Sequence, residues 1–203
     1  MSKGKSLQKQ KKEDGYDWMV MPDAYFATAL LLCDNLLKSQ HTLGNGRKII
    51  DNSIFKKYFR SPHYNHEVIR PLVFNFKQGI ELYVKGLAGY HSEEYLFSHD
   101  IREIFEEVVQ RNKKSNSAEK YKLFVKLHAD TWPIIQKYYF GLYIPEQYDY
   151  AHPDKMNISE RYPRCGEGYD LGRYYSWVTI EKIEEIKRDI LALEKIFSSA
   201  KRV

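Results

Sequence analysis

The stretch from Asn65 to Val109 constrains this chain most, because it reads as two amphipathic helices joined by a short loop. Between about His66 and Gly86, the apolar residues Leu72, Phe76, Ile80, Val84 and Leu87 recur at helical spacing. The other face carries Asn75, Gln78, Glu81 and Lys85, which line up along one side because residues three and four apart are neighbours on a helix. Asn65 is the expected N-cap, and Pro71 is expected to kink this helix or define its first turn. After the loop Gly89–Ser98 a second helix opens with His99-Asp100. Its apolar residues Ile101, Ile104, Phe105, Val108 and Val109 fall at i, i+3, i+4, i+7 and i+8. Two such helices cannot bury their apolar stripes alone, so the chain is expected to supply further helices for them.

It does. Pro22-Asp23 reads as a helix start, followed by a stripe of Phe26, Leu30, Cys33 and Leu37 that ends near Gln40. Gly44-Asn45-Gly46 is a turn, Lys48–Phe59 a short helix or irregular segment, and Arg60–His66 a loop. Beyond the polar linker Arg111–Ser117, Ser117 is placed to cap a helix carrying Tyr121, Phe124 and Leu127 to about Asp130. A further turn or two, Thr131–Phe140, restarts around Pro133. The segment Gly141–Gly172 is rich in Tyr and punctuated by Pro and Gly without sustained periodicity, which suits a lid or a partner surface. Arg161–Arg164 and Arg173–Trp177 can pair there as a small hairpin. Thr179 then caps a last helix whose Ile183, Ile186, Ile190, Leu193 and Phe197 form a narrow seam, fit for a partner helix within the bundle or across a dimer. The expected fold is all-α: a bundle of about five helices with a small irregular or β-hairpin insertion before the last.

A chain of 203 residues supports one sizeable core. Five of the 32 basic residues fall in the first twelve positions, where there is no acid; the remaining 27 match the 27 acids. The net charge of +5 is therefore a property of the N-terminus, so residues 1–15 are expected to be a disordered basic tail and 16–203 one helical domain. Such a tail touches phosphates without sequence preference or simply aids solubility. The longest apolar run, Ala29–Cys33, is far too short to cross a bilayer, and the Lys-rich start lacks a signal-like apolar stretch. Two cysteines, Cys33 and Cys165, suit a reducing cytoplasm, with Cys33 a small core residue.

Those cysteines are not paired in spacing, so a structural zinc site is not expected; His63 and His66 lie in a loop context, and no metal or cofactor is assigned. Phosphate-cradling glycine motifs are absent. Glu81, Lys85 and His99 can form the floor of a cleft that binds phosphate or orients a catalytic His. They equally suit an exposed Glu-Lys pair worth a few tenths of a kcal/mol beside a helix start where Asp100 favours the dipole. Arg161, Arg164 and Arg173, interleaved with Tyr162, Tyr174 and Tyr175, can stack bases and grip phosphates, or serve a protein interface.

The run Gln78-Gly-Ile-Glu81-Leu-Tyr-Val-Lys85-Gly-Leu, followed by Ser98-His99-Asp100-Ile-Arg-Glu-Ile-Phe, resembles the HEPN superfamily of small helical domains. These often show a Glu-x-x-x-Lys helix, a loop, and a helix beginning His-Asp-Leu. The resemblance implies a dimer that cuts RNA without metal, in a bacterial defence or toxin–antitoxin setting, or the same fold without catalysis acting as a dimerising adaptor for an antitoxin or other protein partner. The family's working pair is an Arg followed four to six residues later by a His. Here Arg60, with five residues before His66, satisfies that spacing, although it precedes the central helix instead of opening a later one. The resemblance thus marks Arg60, His66 and His99 as catalytic candidates. In such chemistry His moves a proton to or from the ribose, and Arg holds the charge that grows on phosphorus.

Overall fold

The computed structural model describes residues 3–46, 48–50, 64–92, 98–114, 118–141 and 179–200. Among the described residues five α-helices make up the bundle: α1 Lys3–Lys38, α2 Tyr64–Ser92, α3 Ile101–Lys114, α4 Ala118–Gln136 and α5 Ile180–Ala200. A two-stranded antiparallel hairpin, β1 Gln40–Thr42 and β2 Lys48–Ile50, follows α1, with Gln40 opposite Ile50 and Thr42 opposite Lys48. The expected all-α architecture is what is found. The hairpin sits at the Gly44–Gly46 turn, where Gly46 adopts φ +80° and its N–H bonds the Leu43 carbonyl at 2.8 Å. Lys48–Ile50 is therefore strand and not the start of a helix. The hairpin expected at 161–177 falls outside the described residues.

α2 is the axis of the bundle. It packs along α1 and against α3 and α5, and every residue from Gly79 to Ala88 is buried. Leu72, Phe76, Ile80, Val84 and Leu87 enter the core as their spacing predicts. The close approach of α1 rests on Gly79: a Cβ there would stand 2.4 Å from Cδ1 of Phe26. Phe26 reaches Phe76, Tyr83 and Phe197, at centroid distances of 5.8, 5.1 and 6.4 Å. Tyr83 stacks on Phe197 of α5 with centroids 4.6 Å apart, and its hydroxyl donates to Asp23 on α1.

Prolines mark three departures from the sequence pattern. α1 does not begin at Pro22 but runs back to Lys3, through the segment expected to be a disordered tail. Pro22 removes one helix hydrogen bond while its ring is buried, and the preceding Lys, Gln, Leu and Glu are good helix formers. α2 likewise starts at Tyr64, which puts Asn65 inside the helix and Pro71 further in; Asn75 donates to the Pro71 carbonyl at 2.6 Å. Pro133 does not restart a helix, since α4 continues through it to a wider π-helical turn, Lys137–Gly141. That turn is clamped to α5: Lys137 bonds Glu185 at 2.5 Å and Asp189 at 2.8 Å, and Tyr138 donates to Asp189. Burial alone would lower the Lys137 pKa, but the two carboxylates outweigh it and raise it.

On α1 the inward stripe is Phe26, Ala29, Cys33 and Leu36, while Leu30 and Leu37 are only partly buried. Burial, with Asp34 adding to it, pushes the Cys33 thiol up to about 12, as befits an inert core residue. Thr179 caps α5 through the Lys182 N–H at 3.3 Å, and all five seam residues of α5 are fully buried within the chain. By length and composition the part Val20–Lys38 of α1 is apolar enough to cross a membrane, which the sequence reading did not anticipate; a core helix of a bundle meets the same test.

Gly79→Ala is expected to destabilise the chain by about 1–3 kcal/mol in urea unfolding, despite alanine's better helix propensity, because its methyl collides with a buried ring. Pairing it with Phe26→Leu should recover part of that loss; equal stability of Gly79→Ala and parent would contradict the close packing.

Candidate functional site

Glu81 and Lys85 stand one helical turn apart on α2, so their side chains meet: the Lys85 ammonium donates to Oε1 of Glu81 at 2.7 Å. The spacing alone leaves a cleft floor and an exposed pair both open; in the fold α3 lies over this part of α2 and both groups are buried. His99 lies just before α3, with Nδ1 2.8 Å from the same Glu81 oxygen. An ionised carboxylate only accepts, so Nδ1 carries the proton and donates. The neutral ring then keeps its lone pair on Nε2. Its side chain is 48% exposed, whereas Glu81 is 1% exposed. One end of this chain of groups is sealed in the core and the other opens to water.

Local structure fixes His99 where it is. Asp100 caps α3, its Oδ1 accepting from the Arg102 N–H at 2.9 Å and the Glu103 N–H at 3.4 Å. Ser98 Oγ accepts from the Asp100 N–H at 3.1 Å and donates to Glu103 at 2.9 Å. The backbone on both sides of His99 is thereby pinned to the helix start, and the imidazole is held by Glu81. The arrangement suits a proton-transfer group: a carboxylate that fixes the tautomer and stabilises the imidazolium if Nε2 gains a proton. Lys85 adds a positive charge beside the carboxylate.

The other candidates do not gather here. His66 lies on α2 fifteen residues before Glu81, about 22 Å along the helix at 1.5 Å per residue, so it does not join His99 at this carboxylate. Arg60, Arg161, Arg164 and Arg173 lie outside the described residues. Among the described residues no group of His, Cys, Asp and Glu has the makings of a metal site.

Two features escaped the sequence. Lys77, one turn before Glu81, is buried with Nζ 4.8 Å from the Tyr139 ring centroid, and the Tyr139 hydroxyl donates to the Lys77 carbonyl at 2.7 Å. Its spacing from Val73 and Glu81 is the signal that could have placed it on the packed side of α2. On α4, His128 stacks on Trp132 at 5.0 Å and meets Phe105 of α3 edge-on; burial lowers its pKa, partly offset by Glu106. Nothing in either helix alone announces that cluster. Comparison with protein-family models, curated proteins and solved structures gives no match, so the argument for function rests on the site itself.

Removing one partner of a buried ion pair strands the other. Glu81→Ala should therefore cost about 3–5 kcal/mol in denaturant unfolding, and Glu81→Met with Lys85→Met together much less. Additive losses in the double variant would show that the two charges are not buried as a unit.

Proposed function

We propose that the chain is a HEPN-like helical domain directed at RNA, which it cuts without a metal ion, as part of a bacterial defence or toxin–antitoxin type system in the cytoplasm. The observation that supports this reading is the bond from His99 Nδ1 to the buried Glu81. It leaves Nε2 as a base beside solvent, and the residues involved are those of the Glu-x-x-x-Lys and His-Asp elements. In this proposal Nε2 takes the proton of a ribose 2′-hydroxyl, the oxygen attacks the adjacent phosphorus, and the bond to the 5′-oxygen breaks. A second proton donor completes the leaving group, giving a 2′,3′-cyclic phosphate and a 5′-hydroxyl. In a homodimer the His99 of the second copy is that donor. Arg60, Arg161, Arg164 and Arg173 are the residues proposed to hold phosphate.

One observation favours a second reading. Glu81 and Lys85 are sealed from water, so among these three groups His99 alone meets a ligand. That is also what a catalytically silent adaptor needs: a buried polar brace for α2 and α3, with recognition of an antitoxin or another protein elsewhere.

Purified protein in EDTA is expected to cleave labelled RNA and leave cyclic phosphate ends. His99→Ala should lower the rate by about 10²–10⁴, and Glu81→Gln less severely, while His66→Ala retains activity. Inactive parent protein, or cleavage undiminished by His99→Ala, would overturn the nuclease reading and leave the adaptor.

A further inference from the structure

Charge is spread unevenly over this chain. Between Gln110 and Lys126 there are six basic residues, Arg111, Lys113, Lys114, Lys120, Lys122 and Lys126, and one acid, Glu119. Beyond residue 12 the other positions hold 21 basic residues against 26 acidic ones, so positive charge outside the N-terminus is concentrated in this stretch. It covers the last turn of α3 and the first turns of α4. Phe105, early in α3, meets His128 and Trp132, late in α4, so the two helices run antiparallel and their joined ends form an elbow.

All five lysines of the elbow are exposed. Arg111 is paired with Glu107 and Lys126 with Asp130, each one turn away on its own helix. Lys113, Lys114 and Lys122 form no ion pair among the described residues. The dipole of α3 favours Lys113 and Lys114 in its last turn, but Lys120 stands in the first turn of α4, where a cation is disfavoured. Helix energetics therefore does not account for the cluster, whose like charges repel one another.

We propose that this elbow binds the phosphate backbone of RNA, which extends the reading of RNA as the substrate and rests on it. Lys113 lies about 20 Å along α3 from His99, so the elbow grips the strand away from the phosphate that is cut. Lysine suits that task. Its compact ammonium on a flexible stem meets phosphate oxygens without demanding one geometry, which gives affinity without sequence preference. An anionic lipid surface is the other polyanion to weigh. A helix that docks there carries an apolar face reaching the acyl boundary. Among the described elbow residues Val125, 40% exposed, is the one large apolar side chain offered to solvent, and Phe124 beside it is buried. The exposed Val20, Met21 and Leu31 sit on α1 instead. A hydrated strand fits so polar a surface, and a membrane does not.

Binding is read apart from cleavage with a labelled 2′-O-methyl oligouridylate, whose blocked 2′-oxygen cannot attack phosphorus. Its fluorescence anisotropy with the full chain is followed across a KCl series, where the parent is expected to bind more weakly as salt rises. Lys113→Gln, Lys114→Gln and Lys122→Gln in one chain should weaken binding about tenfold near ~0.1 M KCl and flatten the logarithmic salt slope by about two. Circular dichroism should be unchanged, since all three residues are exposed. With unmodified RNA the triple variant should raise KM and leave kcat near the parent's. A parent that does not bind, or a triple variant with the parent's affinity and slope, would overturn the docking surface. So would a parent that ignores the oligonucleotide but sediments with phosphatidylserine vesicles, which would assign the elbow to a membrane. Lysine-dependent binding without cleavage of unmodified RNA would remove the nuclease and leave the elbow. Cleavage with a KM untouched in the triple variant would do the reverse.

Discussion

The burial of Glu81 is the constraint on which the rest of this structure depends. A carboxylate taken out of water is costly unless hydrogen-bond donors meet it, and here Lys85 and His99 both converge on one of its oxygens. The first donor comes from the same helix at no cost in chain entropy beyond a rotamer. The second comes from the start of α3, and so requires the intervening loop to return that helix to α2. The polar contact thus fixes where α3 begins relative to α2, and the apolar residues Ile101, Ile104, Phe105 and Val108 then fill the space behind it.

The same contact has a functional face. The Asp100 cap and the Glu81 acceptor hold His99 from two directions, so a half-exposed imidazole is ordered without being buried. A free histidine on a surface would sample many rotamers; one whose Nδ1–H is committed to a core carboxylate presents Nε2 in a restricted direction. Preorganisation of this kind is what a proton-transfer group needs. The aromatic packing of Phe26, Tyr83 and Phe197 across α1, α2 and α5 supplies the rigidity behind it.

Much of this was legible in the sequence wherever one helix decides its own fate. The three-four spacings of α5, and of α3 as far as Val108, led directly to their buried residues, and Asp100 and Thr179 were readable as starts because capping is local. Legibility failed where the partner is distant. Leu30 and Leu37 fit a stripe on α1 as well as Ala29 and Leu36 do, and only the position of α2 and α5 selects the smaller Ala29, at a place where helices come close. Pro22 and Pro133 looked like boundaries because local propensity disfavours them inside helices, yet packing carries both helices through. Glu81 and Lys85 fitted a cleft floor and an exposed pair equally well, because i,i+4 spacing says nothing about what covers it. The register of Tyr83 on Asp23, sixty residues away, has no sequence signal at all.

The central claim is that Glu81 sets the tautomer of His99, and nitrogen-15 NMR of the neutral imidazole reads it directly. The account predicts a ring protonated at Nδ1 with Nε2 unprotonated, shifting toward the ordinary tautomer mixture in Glu81→Gln. A His99 ring protonated at Nε2, or one indifferent to Glu81→Gln, would contradict it.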